Sequence, residues 1–339
     1  MKKLVLHIGM MKTGTTFIQK ILNLNYETLK CRKVIYPALG AFNHQSAFYG
    51  LCGSDIYWNK VESDSDKASS LKLINSIQCA DPDDTVILSS EALSTLNEKG
   101  IENLIKKIGC PDKVVLTVRN LQRTIPSAWQ QYIKGGNLKG YEDFYQSFIK
   151  NRKSLSGPWR TYSYGEVVSR WSRFCNVDVI VVDEGSKEEL WNNFCASLEL
   201  DDFELDIAIQ PSESNISLSL EDVFILQRLI ELAFDNESSI QNREKKKILD
   251  GFLKDFVFPS VATVKGTKIL PLKKYRSIVN SWNEEEFLKV YECSTSIIGN
   301  VDVLKNYKGS YIDLDSVLQS ELLDHFLCRI NSSLLRGWK

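Results

Sequence analysis

Five short, almost unbroken apolar runs constrain the fold of this chain more than any other feature of its sequence. They are residues 3–8, 33–36, 85–88, 113–118 and 177–182. Runs of this length and composition are typical of strands buried on both faces of a parallel sheet. Helical patterns lie between them, at 15–24, about 68–78, about 101–108 and 164–174. This alternation predicts an α/β fold, a parallel sheet flanked by helices.

The chain changes character after Leu200, where helical patterns dominate. Residues 219–233 and 284–298 are predicted helices, and 237–247 is a polar segment that we expect to be exposed. The length of 339 residues allows one large domain or two small ones. We expect a single domain over 1–339, with an α/β core over 1–200 and a mainly helical C-terminal elaboration over 201–339.

The nearly equal numbers of basic and acidic residues limit the kinds of molecule that the protein is expected to bind. Lys plus Arg number 42 and Asp plus Glu 43, which gives a net charge of -1. A general nucleic-acid binder needs an excess of basic residues, so we expect no nucleic-acid partner and only a local site for any anion.

The apolar runs and the cysteines bear on location. No run approaches the roughly 18 residues of a membrane span, and the N-terminal run is too short for a secretory signal. The eight cysteines are scattered without a Cys-x-x-Cys pair. Such spacing favours reduced thiols over a disulfide framework or a zinc site, so we expect a cytoplasmic protein without a membrane span.

The junction between the first predicted strand and the first predicted helix carries the most chemical information. It reads G-M-M-K-T-G-T-T from position 9. Backbone N–H groups at such a turn can surround an anion, the helix dipole favours negative charge there, and the lysine adds a cation. The predicted anion-binding residues are Gly9, Lys12, Thr13, Gly14, Thr15 and Thr16. The alternative is a plain tight turn in which threonines cap the helix.

This loop differs from the nucleotide-triphosphatase pattern G-x-x-x-x-G-K-[ST] at one position. Gly9 and Gly14 match the two glycines, but Thr15 stands where the lysine is required, and the lysine is Lys12. The loop is therefore predicted to hold a phosphate-like group and to be poorly suited to hydrolysis of ATP or GTP.

A second anion site is predicted where the fourth strand ends. Arg119 follows that strand and faces the edge where open α/β sheets bind ligands, and its planar guanidinium suits a phosphate. Ser127, eight positions later in the next predicted helix, can reach the same anion. The alternative for Arg119 is a salt-bridged residue at a strand end. Pro126, just before the serine, can disturb the helix start.

Together, these motifs resemble those of sulfotransferases that use 3′-phosphoadenosine 5′-phosphosulfate (PAPS), in the form found in bacterial members that act on carbohydrates or glycolipids. The loop from Lys12 to Thr16 resembles the 5′-phosphosulfate loop of that family. The resemblance implies that Lys12 binds the phosphosulfate and that Arg119 and Ser127 hold the 3′-phosphate. It also implies a hydroxyl acceptor, most simply on a sugar, and release of 3′-phosphoadenosine 5′-phosphate (PAP) without a metal. The likeness covers most of residues 1–200.

Sulfuryl transfer to a hydroxyl needs a group that takes the acceptor's proton, and two residues are candidates. Glu91 ends the run Ser89-Ser90-Glu91 after the third strand, where burial would raise its pKa. It can equally belong to the first turn of a helix capped by a serine. His44 follows the second strand and titrates near neutrality, although it can also be a loop histidine without a role.

Two other functions compete with this reading. A P-loop nucleotide or small-molecule kinase would need magnesium and the lysine that this loop lacks. A non-catalytic nucleotide-binding module would bind PAP without turnover.

Overall fold

The computed structural model describes most of the chain. The described residues are 2–58, 61–154, 156–183, 187–200, 205–207, 217–234, 249–251, 253–257 and 266–314. The predicted exposed segment at 237–247 lies outside them. The chain divides into two compact units, and the prediction of a single domain stays a prediction. The first unit comprises Met1–Leu121, Asn151–Ile209 and Asn280–Tyr307, and the second comprises Gln122–Lys150, Gln210–Val279 and Lys308–Lys339.

A six-stranded sheet forms the centre of the first unit, and it confirms the predicted fold class. Its order is β2-β3-β1-β4-β5-β6, and every neighbouring pair is parallel. The strands are β1 Lys3–His7, β2 Val34–Ile35, β3 Thr85–Ser89, β4 Lys113–Val118, β5 Asn176–Val181 and β6 Ser296–Ile298. The first five agree with the predicted runs to within about one residue at each end.

The prediction of one helix over 284–298 is wrong at its C-terminal end. The helix there ends at Cys293, and Ser296–Ile298 forms the edge strand β6 beside β5. Thr295 fixes this strand, because its N–H donates to the Val177 carbonyl at 2.7 Å and its Oγ1 accepts from the Val177 N–H at 3.1 Å. The residues of β5 that pair with β6 are more than 100 positions away in the sequence. Ser296–Ile298, which are half-buried and closely follow a helix, therefore show no local pattern that indicates a strand.

Helices connect the strands in the described parts of the chain. They are α1 Thr15–Leu24, α2 Tyr26–Cys31, α3 Gln45–Cys52, α4 Asp64–Gln78, α5 Glu98–Ile108, α6 Leu121–Lys134, α7 Tyr141–Asn151, α8 Pro158–Tyr162, α9 Tyr164–Trp171, α10 Lys187–Leu198, α11 Leu220–Phe234, α12 Arg276–Cys293 and α13 Asp302–Lys305. Shorter turns are the 3₁₀-helices Gly53–Asp55, Glu91–Thr95 and Lys273–Tyr275, and the π-helix Leu253–Val257. The predicted helix at 15–24 is confirmed at both ends.

Helix α1 shows how the sequence builds the layer above the sheet. Ile18, Ile21 and Leu22 lie on one face at helical spacing and are fully buried, in a core cluster that also contains Val5 of β1 and Phe194 of α10. Leu4 and Leu6, which flank Val5 in β1 and point to the other face of the sheet, are buried as well, so both faces of the sheet are covered there.

The second unit has its own aromatic core. Trp129 of α6 stacks on Tyr141 of α7 with ring centroids 4.3 Å apart, and its indole N–H donates to the Lys139 carbonyl at 2.9 Å. Helix α11 begins as the sequence predicts. The Ser219 hydroxyl accepts the Asp222 N–H at 3.1 Å, and the Asp222 carboxylate accepts the Ser219 N–H at 3.0 Å, which is a capping box.

Candidate functional site

The loop between β1 and α1 is a tight turn held against the sheet. Gly9, Lys12 and Gly14 all have positive φ, at 46°, 68° and 86°. A Cβ on Gly9 would lie 2.1 Å from the Thr15 Cγ2 atom, so only glycine fits there. The Met10 N–H donates to the Thr117 carbonyl at 3.0 Å, which continues the pairing of β1 with β4 into the loop.

The Thr13 hydroxyl points into the protein. It donates to the Met10 carbonyl at 2.6 Å and lies 2.6 Å from the Thr117 hydroxyl, and the side chain is buried. Thr13 therefore fastens the loop to β4, and its predicted role as a donor to an anion stays a prediction.

The start of α1 is arranged to present backbone N–H groups. Its N-cap residue is Gly14, no side chain caps it, and its first turn has no acidic residue. The first N–H groups of a helix have no partner inside the helix and attract negative charge. Thr16 is half-buried in this turn, and the buried Thr15 donates its hydroxyl to the Glu91 carboxylate.

Lys12 lies within electrostatic range of two other charged residues of this site. Burial lowers the pKa of its ammonium, the carboxylate of Glu91 raises that pKa, and the guanidinium of Arg119 lowers it. Lys12 therefore interacts electrostatically with both side chains, so Lys12, Glu91 and Arg119, which the sequence singled out, lie in one region of the structure.

Glu91 opens a 3₁₀-helix directly after β3. Ser90 caps this helix by accepting the Ala92 N–H at 3.3 Å, so the glutamate occupies the first turn. Burial raises the pKa of its carboxyl to about 7, against the opposing effect of Lys12. A carboxyl that titrates near neutrality can both accept and return a proton under ordinary conditions.

The order of the strands explains why these groups meet. β1 lies between β3 and β4. The chain runs from β1 to β2 toward one edge of the sheet and from β4 to β5 toward the other edge. Glu91, the loop and Arg119 therefore follow three adjacent parallel strands at their carboxyl ends, around the switch point where open α/β sheets bind ligands.

The predicted pair of Arg119 and Ser127 is divided between the two units. Arg119 is half-buried after β4, and Ser127 is half-buried in α6. Helix α6 continues through Pro126 from Leu121 to Lys134. Their joint hold on one phosphate stays a prediction.

His44 is engaged by backbone groups on both sides of its ring. Its Nε2–H donates to the Pro37 carbonyl at 2.8 Å, and its Nδ1 accepts the Ser89 N–H at 3.0 Å. Burial lowers the pKa of the ring to about 4. With both nitrogens used, the ring holds its segment against the end of β3, so these contacts favour Glu91 over His44 as the base.

Tyr162 is a residue of the site that the sequence did not reveal. It ends α8 and is buried; burial raises the pKa of its phenol, and the nearby charge of Glu91 raises it further. It therefore stays protonated beside Glu91. Its helix packs on the 3₁₀-helix of Glu91, where Arg160 Nε donates to the Thr95 carbonyl at 3.1 Å. No local pattern links two residues so far apart in the chain.

Comparisons with known proteins give one distant likeness. No family model and no curated protein sequence matches this chain. The crystal structure of a sulfotransferase from Alicyclobacillus acidocaldarius is similar to it, at 14% sequence identity and a TM-score of 0.42, over 69% of this chain and 96% of that chain. That protein is a sulfotransferase.

The described residues contain neither a membrane-spanning helix nor a cluster of metal-binding side chains. None of the helices in these parts of the chain is long and apolar enough to cross a membrane. Within the same ranges, no group of three or more His, Cys, Asp or Glu side chains is placed to hold a metal ion.

Proposed function

We propose that this protein is a sulfotransferase that transfers the sulfuryl group of PAPS to a hydroxyl of a carbohydrate-type acceptor and releases PAP. The observation that carries the proposal is the meeting of Lys12, Glu91 and Arg119 after three adjacent strands. This arrangement combines an anion-binding loop, a second cation and a carboxyl group that titrates near neutrality. The resemblance of the motifs supplies the identity of the donor.

The chemistry of the loop suits a phosphosulfate. The uncapped start of α1, without an acidic residue, and the ammonium of Lys12 offer donors and positive charge to the 5′ end of the donor. Arg119, with Ser127, would hold the 3′-phosphate through charge-assisted hydrogen bonds. Thr15 follows Gly14 in place of a lysine and donates to Glu91, so the loop lacks the lysine that grips the β- and γ-phosphates of ATP.

The proposed reaction is an in-line displacement in which PAPS supplies the electrophilic sulfur. A bond forms between the acceptor oxygen and sulfur, the bond from sulfur to the 5′-phosphate oxygen breaks, and the acceptor proton passes to Glu91. Lys12 donates to the oxygen on which negative charge develops. Because Lys12 and the loop donors neutralise this charge, we propose that no metal is required.

The scattered cysteines support a cytoplasmic location for this reaction. The acceptor follows from the resemblance alone, and a sugar hydroxyl is the form that we propose.

Calorimetric titration tests the donor. We expect PAP to bind and ATP with magnesium to bind far more weakly. Tighter binding of ATP with magnesium would instead identify a phosphotransferase. Binding of PAP without transfer from labelled PAPS to any of a panel of sugars would identify a non-catalytic module.

A pair of lysine variants tests the assigned site. Lys12→Ala should weaken PAP binding and reduce sulfuryl transfer by roughly a hundredfold or more, since removal of one donor to a developing charge costs that much. Lys30→Ala, at an exposed lysine of α2, is the matched control and should leave both unchanged. Full transfer by Lys12→Ala would contradict the role of this lysine.

A further inference from the structure

A guanidinium lies over an exposed aromatic ring in the first unit, near the 3₁₀-helix that Glu91 opens. Tyr57 is 42% exposed, and the guanidinium carbon of Arg160 lies 5.3 Å from the centroid of its ring. We call these two residues the Tyr57 ledge. A tyrosine with so much of its ring in solvent contributes little to a core, whereas Tyr and Arg are enriched where proteins bind ligands and partners.

Both residues of the ledge are anchored to the last residue of that 3₁₀-helix. The Tyr57 N–H donates to the Thr95 hydroxyl at 3.2 Å, and Arg160 Nε donates to the Thr95 carbonyl at 3.1 Å. Thr95 itself is fully buried. A 3₁₀-helix rises about 2 Å per residue, so the Cα atoms of Glu91 and Thr95 are roughly 8 Å apart. A disaccharide can cover that span.

Helix α8 links the ledge to the reacting carboxyl a second time. Arg160 and Tyr162 belong to the same five-residue helix, and Tyr162 is buried within range of the Glu91 charge. The ledge and Glu91 therefore lie toward the two ends of one 3₁₀-helix, and α8 packs against that helix.

A second arginine binds the backbone at the same end of the 3₁₀-helix and fixes it. Arg170 donates from Nε to the Leu96 carbonyl and from Nη2 to the Ser94 carbonyl, each at 3.0 Å. Burial lowers its pKa to about 10, the charge of Glu166 raises it, and the neighbouring Arg160 lowers it. Only one of the five N–H donors of Arg160 serves Thr95 in the hydrogen bond described above, which suits the guanidinium to ligand oxygens as well.

We propose that the Tyr57 ledge is the acceptor subsite and that it binds a pyranose ring. The C–H face of the sugar would pack on Tyr57, its ring oxygens and hydroxyls would accept hydrogen bonds from Arg160, and a hydroxyl of the same saccharide would reach Glu91. The inference rests on the proposed sulfotransferase function, because it names the substrate class of the same site.

Saturation-transfer NMR with defined disaccharides tests the subsite, in the presence and absence of saturating PAP. The probes are cellobiose, N,N′-diacetylchitobiose and cellobiouronic acid. We expect at least one probe to bind the wild-type protein, and Tyr57→Ala to weaken that binding by about tenfold, which is the loss of a typical aromatic contact. Tyr57→Phe keeps the ring and should bind as the wild type does.

Tyr26→Ala is the matched control, because Tyr26 is 40% exposed in the same unit but lies on α2. It should bind saccharide normally, and PAP affinity should be unchanged in all three variants. The subsite is overturned if Tyr57→Ala binds the probes as tightly as the wild type, or if no probe binds a protein that binds PAP. Failure of PAP to bind the wild-type protein would overturn the proposed function instead, while saccharide binding without PAP would still report on the ledge.

Discussion

Lys12 and Glu91 shift each other toward their charged forms, while burial pushes both toward neutrality. Burial dominates for both groups, so the pKa of Glu91 rises to about 7 and the pKa of Lys12 falls below its ordinary value. The two groups therefore titrate closer together than a free glutamate and a free lysine would. Only between the two pKa values are the carboxyl ionised and the ammonium protonated, the combination that the proposed reaction needs.

The pH dependence of sulfuryl transfer follows from these directions. Glu91 must be ionised to take a proton, so kcat/KM should rise with pH through about 7 and fall again on the alkaline side as Lys12 loses its proton. Glu91→Gln should lower kcat/KM by roughly a hundredfold to ten-thousandfold and remove the rise on the acid side. Glu102→Gln, at an exposed position of α5, should keep the whole profile. An acid limb that persisted in Glu91→Gln would exclude this residue as the base.

A comparison of PAP with adenosine 5′-phosphate tests the 3′-phosphate site. Arg119→Ala and Ser127→Ala should each weaken PAP binding, the arginine variant by about tenfold to a hundredfold, since a hydrogen bond to a charged group contributes about 1.5–3 kcal/mol. Neither variant should change the affinity for adenosine 5′-phosphate, which has no 3′-phosphate. Arg173→Ala, in an exposed ion pair with Glu98, is the control. An equal loss for both ligands would assign Arg119 to the 5′ end.

At the scale of elements, the loop between β1 and α1 depends on glycine at one position above all. Gly9 and Gly40 both have positive φ, but a Cβ on Gly9 would meet Thr15 at 2.1 Å while a Cβ on Gly40 would have nothing within 4 Å. Thr15 cannot turn aside without leaving the Glu91 carboxylate.

Alanine variants at these two glycines should separate the cost of a left-handed backbone conformation from the cost of a steric clash with Thr15. Gly40→Ala should cost only the left-handed conformation, about 1–2 kcal/mol, and leave PAP binding intact. Gly9→Ala should cost more and also abolish PAP binding, because the loop must reopen to admit the methyl group. Urea denaturation and calorimetry measure the two effects. If Gly9→Ala bound PAP as well as Gly40→Ala does, the loop would not be the donor site.

Sequence reasoning found the elements whose signal is local. Unbroken apolar runs located β1 to β5, and the positions of Glu91 and Arg119 at strand ends placed them at one edge of the sheet. The sequence could not reveal β6, which is held by long-range pairing with β5, or Tyr162, which lies near Glu91 through the packing of α8. The inward turn of the Thr13 hydroxyl was equally hidden, because Thr117 is its distant partner.

At the scale of the whole molecule, PAP is proposed to bind the folded protein through the loop between β1 and α1, Arg119 and Ser127, and a ligand that binds only the folded state stabilises it. PAP at about one hundred times its Kd should therefore stabilise the protein by about 2.7 kcal/mol. Hydrogen exchange should show slower exchange both at the start of α1 and in α6. Adenosine 5′-phosphate, at the same multiple of its own Kd, should protect α1 alone. Protection of α1 alone by PAP as well would remove Ser127 from the donor site.

The three strands that lead to Glu91, Lys12 and Arg119 are spaced by the repeat of the sheet itself. Neighbouring strands lie about 4.8 Å apart, so the ends of β3, β1 and β4 mark out a row roughly 10 Å long. Backbone hydrogen bonds set this spacing, so side-chain changes elsewhere in the chain do not alter the distances between the strand ends. We therefore expect substitutions at Tyr57 and in α8 to change the acceptor without changing the donor. The donor site depends instead on the fixed spacing of β3, β1 and β4.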